Sequence, residues 1–214
     1  MKKIILILIA LLSSNIGQAK FLKAVLYLED GTKKTGLAEL VQSEDSKINF
    51  KINEEAKKEK ILSAEVKKIE YIDTENNKYI VEKFYFTTAN LFTGKFSKSK
   101  KKIWFYIVYD KDVKIGAIPA EGGRRPNAGG TSSVVTIANT AYYFGKSSSE
   151  DLVFGFATSG NNLAVGTDSL VRKMSKEAFS DCPKLIDAIE KEDFKSNTVI
   201  DQLKVIFEKN KCKK

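Results

Sequence analysis

The chain contains no histidine among its 214 residues. This absence excludes Ser-His-Asp and Cys-His catalysis, in which an imidazole takes up the proton of the nucleophile. It also removes the commonest transition-metal ligand and the one side chain whose unperturbed pKa lies near neutrality. An enzyme of this composition is left with the chemistry of carboxylates or of lysine.

Arginine is scarce, because Arg124, Arg125 and Arg172 are the only three, although Lys and Arg together number 36 against 27 Asp and Glu and give a net charge of +9. A basic protein can bind nucleic acid or an anionic surface. Proteins that contact bases and phosphates favour arginine for its bidentate fork. Lysine spread over every segment is typical of solubility instead. We therefore expect no nucleic-acid partner.

Long apolar runs are missing except at the N-terminus, where an unbroken one covers residues 4–12. It follows Lys2 and Lys3 and precedes small residues at Gly17 and Ala19, which together are typical of a cleavable signal peptide over residues 1–19, cut after Ala19. The alternative is a membrane anchor, but a spanning helix needs ~20 apolar residues. The sequence predicts export to the periplasm or outside the cell, with no transmembrane segment in the mature chain.

Only two cysteines occur, Cys182 and Cys212. In an exported protein an even pair indicates a disulfide. The alternative is two free thiols with one acting as a nucleophile, but neither a histidine nor a Cys-x-x-Cys partner is present to activate it. A loop of this length, closed by a disulfide, is expected to stabilise the fold by roughly 2–4 kcal/mol.

The first part of the mature chain, residues 20–75, has β patterning. Strands are predicted at 21–28, 33–41, 48–52 and 61–72, because Ile48, Phe50 and Ile52 alternate with polar residues and Asp30-Gly31 favours a tight turn. Gly36 indicates a bend or bulge. With Val66-x-x-Ile69 at its end, this stretch resembles a small SH3-like or Sm-like β-barrel. The resemblance implies a binding or scaffolding module, and no RNA-contacting residues are carried over.

Residues 76–166 continue as antiparallel β structure. A strand is predicted at 79–86, and hairpins are predicted at 103–109 with 113–118 and at 134–144 with 152–157. The short spacing favours a β-sandwich, or a meander packed beside the first module.

Residues 167–214 change to a helical period. Asp168 is a suitable N-cap for a first helix, Pro183 starts a second, and Ser196 or Asn197 starts a third. Antiparallel packing of the last two would bring Cys182 and Cys212 together. The run from Phe179 through Asp181-Cys182-Pro183 to Leu185 resembles uncharacterised exported bacterial proteins, a resemblance that implies no activity. The predicted fold class is mainly β with an α-helical C-terminus (α+β).

Three stretches are candidate sites. The loop 121–130 contains four residues suited to an anion, Gly122, Gly123, Arg124 and Arg125, because paired arginines fork a phosphate or carboxylate; the alternative is a solvated linker. The lysine-rich stretch 95–102 could bind an anionic polymer, or could simply keep the next strand soluble. The acidic sets, Glu150-Asp151 and Asp110 with Asp112, lie in predicted turns, where acids are ordinary.

These observations favour a non-catalytic exported protein with a binding or structural role in the envelope or secretome. We expect no cofactor and no metal, and a partner that is an anionic envelope component or another exported protein. One alternative is a hydrolase or transferase dependent on carboxylates or lysine. Another is a peripheral binder of anionic envelope polymers through its lysine-rich loops.

Overall fold

The computed structural model describes residues 21–73, 75–90, 93, 95–119, 125–126, 132–133, 139–159, 162–163, 167–195 and 198–212. The predicted signal peptide, residues 1–19 with its cleavage point, lies outside the described residues. The described chain is rich in strands and ends in three helices, so the predicted α+β class with mainly β content is confirmed.

Five strands form the N-terminal module: β1 (Phe21–Leu28), β2 (Lys33–Glu39), β3 (Lys47–Lys51), β4 (Glu59–Leu62) and β5 (Val66–Ile72). They pair in the order β5-β1-β2-β3-β4, and a 3-10 turn at Ser63–Glu65 joins β4 to β5. This barrel-like sheet surrounds one apolar cluster, which includes Leu26, Ile48 and Ile69.

The alternating strand starts as predicted but ends earlier. Ile48 and Phe50 are buried, whereas Ile52 lies beyond the end of β3 and is largely exposed. The ladder between β3 and β4 ends at the pair Phe50 and Glu59, so the alternation in the sequence continues beyond the paired part of the strand. The prediction that Ile52 shares the buried face is therefore wrong.

Two glycines shape the hairpin of β1 and β2. Gly31 has φ +86°, the left-handed conformation that the predicted Asp-Gly turn needs, and Asp30 Oδ1 accepts a 2.8 Å hydrogen bond from the Thr32 amide. Gly36 is no bulge, since it pairs in regular register with Ala24. It is instead a point of close approach, because a Cβ there would lie 2.2 Å from the carbonyl oxygen of Lys51.

The second β region is a closed ring, which the sequence did not predict. It contains β6 (Lys78–Ala89), β8 (Ile103–Asp110), β9 (Val113–Pro119), β12 (Asn139–Lys146) and β13 (Asp151–Ser159). Neighbouring strands pair antiparallel, and a parallel pairing of β13 with β6 closes the ring. Bulges in the β8–β9 and β12–β13 ladders increase local twist and favour closure. The strands follow one another in the order of the predicted meander, and its closure by β13 and β6 gives a second barrel in place of the predicted sandwich.

Strand β6 belongs to both β modules because it is long. Its first half pairs with β5, while Tyr85, Phe86 and Thr87 pair with β13. The sheet therefore continues across the predicted boundary at residue 75. Short strands complete the β structure: β7 (Phe96–Lys98), β10 (Arg125–Pro126), β11 (Ser132–Ser133) and β14 (Asn162–Leu163). Residues 134–138 of the predicted strand 134–144 lie outside the described residues.

The interior of the second barrel is filled by aromatic side chains. Phe105 and Tyr143 meet edge to face with ring centroids 5.0 Å apart, and Leu152 completes the cluster. This filling leaves the barrel a packed core, so the exposed functional surface must lie at its mouth or on its outside.

Three helices cover the outer face of β9, β12 and β13: α1 (Thr167–Ala178), α2 (Pro183–Lys191) and α3 (Val199–Lys209). Phe179 stacks on Phe144 at 5.6 Å and contacts Phe207 edge to face, which anchors the helices to the barrel. Asp168 lies within the first turn of α1, which begins at Thr167, and it pairs with Arg172. The prediction that Asp168 is the N-cap residue is therefore wrong, because the N-cap precedes the first helical residue.

The predicted disulfide is confirmed. Cys182 immediately precedes α2 and Cys212 follows α3, and their Cα atoms lie 5.4 Å apart. Cys182 is buried in the same apolar cluster that holds Phe179. The bridge therefore ties the end of the described chain to the barrel as well as closing the helical pair.

Candidate functional site

The two β modules meet along β6, and a groove of about 650 Å³ lies at this junction. It extends from the β1–β2 turn and β5 of the N-terminal module to the mouth of the second barrel. We call it the central groove. Its lining is unusually rich in lysine: Tyr27, Glu29, Lys67, Lys68, Glu82, Lys83, Phe84, Lys102, Lys114, Ser147, Ser149 and Glu150.

The ammonium group of Lys83 is held in a defined position in the central groove. Its Nζ donates a 2.7 Å hydrogen bond to the carbonyl of Ser63 and lies 5.4 Å from the centroid of the Trp104 ring. The ladder explains the ring contact, because Lys83 and Trp104 are direct cross-strand partners on β6 and β8. Burial lowers the pKa of Lys83. The Glu29 carboxylate offsets part of this shift, and the charge of Lys102 adds to it.

Alternation along β6 places its charged residues on opposite faces. Val81 and Lys83 point towards the core of the N-terminal module, whereas Glu82 and Phe84 point into the second barrel. One strand therefore supplies charges to both walls of the central groove.

A buried ion pair forms the floor of the central groove at the barrel mouth. Lys114 Nζ lies 2.6 Å from Glu82 Oε2 and 3.5 Å from Asp110 Oδ2, and 5.0 Å from the centroid of the Phe84 ring. Lys114 is buried, although lysine is usually exposed in folded proteins unless it is paired. Because two carboxylates compensate its charge, Lys114 has a structural role and is not readily available to a ligand.

The carboxylates of two other pairs stand at the rim. Glu29 lies 3.6 Å from Lys83, and its side chain is 55% exposed while that of Lys83 is 13% exposed. Glu150 lies 3.5 Å from Lys102, with exposures of 74% and 36%. In both pairs the cation is the deeper partner and the acid can turn into solvent. The lysines can therefore accept another anion without moving.

Aromatic rings contact several lysines in and near the central groove. Lys33 and Lys68 lie 4.7 Å and 4.2 Å from the centroid of the Tyr27 ring, and Lys98 and Lys102 both lie 5.2 Å from that of Tyr85. Such contacts hold long lysine side chains in place at little entropic cost.

Most of the predicted anion-binding loop lies outside the described residues. Gly122, Gly123 and Arg124 lie outside the described residues, and Arg125 pairs with Ser133 in a small two-stranded sheet. The third arginine, Arg172, is structural: its guanidinium donates to the carbonyls of Glu190 and Glu192 and connects α1 to the end of α2.

Part of the lysine-rich stretch 95–102 forms ion pairs with acidic side chains. Lys98 lies 3.1 Å from Asp151 and Lys101 lies 3.1 Å from Glu44. The predicted acidic sets are thus used as ion-pair partners: Asp110 approaches Lys114, and Glu150 approaches Lys102. The structure brings one end of the lysine-rich stretch, Lys102, to the central groove.

Sequence reasoning missed Lys83 and Lys114. Both interrupt apolar strands, in Ile-Val-Glu-Lys-Phe-Tyr-Phe and Val-Lys-Ile-Gly-Ala-Ile. A lysine at such a position must either turn to solvent or find a partner when buried. This pattern was the available signal, but it does not reveal which two strands provide the partners.

Among the described residues, no group of three or more His, Cys, Asp or Glu side chains could hold a metal ion. No helix in the described part of the chain is long and apolar enough to cross a membrane. Comparisons with known proteins found no protein-family model that matches the chain, and no similar curated protein or solved structure.

Proposed function

We propose that the protein is a non-catalytic binding protein of the cell envelope or secretome that holds anionic groups in the central groove. The observation that carries this proposal is that two lysines, Lys83 and Lys102, line the central groove together, where burial lowers the pKa of Lys83 and the charge of Lys102 adds to that shift. Both lie deeper than the carboxylates that accompany them. Like charges held together beside removable acids are suited to an anionic ligand.

Binding proceeds by exchange. A carboxylate or phosphate of the ligand takes the place of Glu29 at Lys83 and of Glu150 at Lys102. Because the protein's own pairs are long and exposed at the acid, their loss costs little. The ligand's groups contact a lysine whose position is already fixed by Ser63 and Trp104, so little ordering is left to the binding step.

Two features support export as part of this proposal. Residues 1–19 have the order of a cleavable signal peptide, with Lys2 and Lys3 before the apolar run and Ala19 at the cut. The Cys182–Cys212 disulfide suits an oxidising compartment. The partner is then an anionic envelope component or another exported protein, met in the periplasm or outside the cell. The SH3-like or Sm-like resemblance of the N-terminal module, a scaffold for binding, belongs to this proposal.

The test is the affinity of the mature protein for poly-glutamate, a linear polycarboxylate, measured at low and high salt. Lys102→Met is expected to weaken binding about two- to fivefold. The matched control is Lys204→Met on α3, because Lys204 is 35% exposed and lies 3.5 Å from Asp201, almost as Lys102 does from Glu150. Equal losses in the two variants, or binding that ignores salt, would overturn the proposal.

A lysine-dependent hydrolase or transferase is the second candidate, favoured by the lowered pKa of Lys83. A lysine amine in a groove, once it has lost its proton, can attack a carbonyl carbon and form an imine with loss of water. Treatment with a small aldehyde and borohydride, followed by peptide mass analysis, tests it. Preferential labelling of Lys83 over the other lysines supports this candidate, and uniform labelling excludes it.

A further inference from the structure

The central groove continues into two neighbouring grooves. One, of about 350 Å³, lies beside the loop 43–46 and shares both Lys83 and Lys102 with the central groove. The other, of about 650 Å³, lies beside the disulfide and shares Ser147 with it. The shared lining residues show that each of these two grooves borders the central groove. We call the series of three the furrow.

Lysines recur along the whole furrow. Lys101 lies in the first groove, Lys83 and Lys102 at its junction with the central groove, and Lys111 and Lys146 in the groove beside Cys212. The turns between β8 and β9 and between β12 and β13 bring the last two to the disulfide-bonded end of the helices.

These lysines also have acids that can leave. Lys146 pairs with Asp181, whose side chain is the more exposed of the two, and Lys101 pairs with the highly exposed Glu44. Because these acids are exposed, a ligand anion can replace them at both ends of the furrow, although both pairs are closer than those of the central groove. A ligand with one anionic group would use a single position and leave the rest unused.

We propose that the ligand is one flexible polyanionic chain, with a carboxylate or phosphate on each repeat, that lies along the furrow. This inference rests on the proposed function and adds the form of the ligand. Once one group is bound, the next is held near the next lysine, so affinity grows with length until the furrow is filled. A flat bilayer surface is disfavoured because Lys83 is recessed below the surrounding surface.

The experiment compares glutamate oligomers of increasing length, from the dipeptide to long poly-glutamate, on the mature protein by calorimetry. Affinity is expected to rise with length and then level off. Lys101→Met and Lys146→Met, at the two ends, are each expected to weaken long-chain binding about two- to fivefold and to leave dipeptide binding unchanged. Lys204→Met serves as the control for charge, and thermal unfolding checks that each variant is folded.

The contrary outcomes are distinct. If long chains bind and Lys102→Met weakens them, but the two end variants do not differ from Lys204→Met, the extended ligand is wrong and the proposed function stands. If anionic phosphatidylglycerol vesicles compete as well as long poly-glutamate at equal charge, the furrow is a membrane contact and the inference fails. Polyphosphate of matched length is compared with the glutamate oligomers to distinguish phosphate from carboxylate repeats. If neither polymer binds in a salt-dependent way, the proposed function itself fails.

Discussion

Lys83 Nζ donates a 2.7 Å hydrogen bond to the backbone carbonyl of Ser63, and this bond joins β6 to the 3-10 turn between β4 and β5. The lysine is thereby held by the backbone in addition to its longer contact with the flexible side chain of Glu29. A cation fixed in this way is pre-organised for a ligand, and it also shares the low-polarity surroundings of the Trp104 ring.

The first prediction concerns pH and Lys83. Its folded pKa lies below the ordinary 10.5 because burial disfavours the charged form. Binding of poly-glutamate should therefore weaken as pH rises through that lowered pKa, before other lysines lose their charge. Lys83→Met should remove this early loss, whereas Lys204→Met should retain it. Titration of affinity against pH in the three proteins measures the effect.

The same shift has the opposite sign for stability. Between the folded pKa and 10.5 the unfolded chain binds more protons at Lys83 than the folded one, so the folded state gains stability as pH rises. The free energy of unfolding of the parent protein should thus increase relative to Lys83→Met across this alkaline window. A fall in the parent's free energy of unfolding relative to that of Lys83→Met as pH rises would contradict burial as the cause.

Lys114 and Glu82 form a buried pair, and removal of Lys114 leaves the Glu82 carboxylate without this partner. Lys114→Met is expected to lower the free energy of unfolding by about 3–5 kcal/mol, and the double variant with Glu82→Leu to lose much less. The control is Lys176→Met, which breaks a more exposed pair with Glu190 and should cost at most about 1 kcal/mol. Urea denaturation measures all three, and a double variant that loses as much stability as Lys114→Met would argue against coupling.

The disulfide closes a sequence separation of 30 residues and connects α2 to the segment after α3. Replacing both Cys182 and Cys212 by serine should lower the free energy of unfolding by roughly 2–4 kcal/mol, chiefly because the unfolded chain gains freedom. Mass analysis under non-reducing conditions with an alkylating agent provides a second check. Two modified thiols in the folded exported protein would show that the bond is absent there.

Gly36 is required by the backbone of the neighbouring strand. A Cβ at this position would lie 2.2 Å from the carbonyl oxygen of Lys51, so β2 and β3 must separate to accept it. Gly36→Ala should cost about 1–3 kcal/mol of unfolding free energy. Thr35→Ala, at the exposed neighbouring position, should change it by no more than about 0.5 kcal/mol. Similar effects at the two positions would refute the close approach.

Local sequence patterns predicted the secondary elements well. The strand at Phe21–Leu28, the hairpin of β8 and β9 and the Cys182–Cys212 bridge were all expected, because alternation, turn residues and cysteine parity act over short stretches. Closure of the second ring was not, since it depends on the parallel pairing of β6 with β13, more than 60 residues apart in the chain.

The site could not be predicted for the same reason. Lys83, Lys102 and Glu150 come together only when β6, the start of β8 and the β12–β13 turn meet, and no local pattern encodes that meeting. The arginine pair of the loop 121–130 was predicted from composition, and it stays a prediction because Arg124 lies outside the described residues. Composition identifies residue types suited to an anion, whereas burial and geometry show how a described lysine such as Lys83 is placed.

The exchange of rim carboxylates for ligand anions has one direct measurement. Glu150→Gln removes the acid that competes for Lys102, and Asp201→Asn removes an equally exposed acid beside Lys204, with the same change in net charge. Poly-glutamate should bind Glu150→Gln about two- to fivefold more tightly than the parent protein and Asp201→Asn with nearly parental affinity. Equal gains in both variants would mean that net charge alone attracts the ligand and that Lys102 holds no exchangeable site.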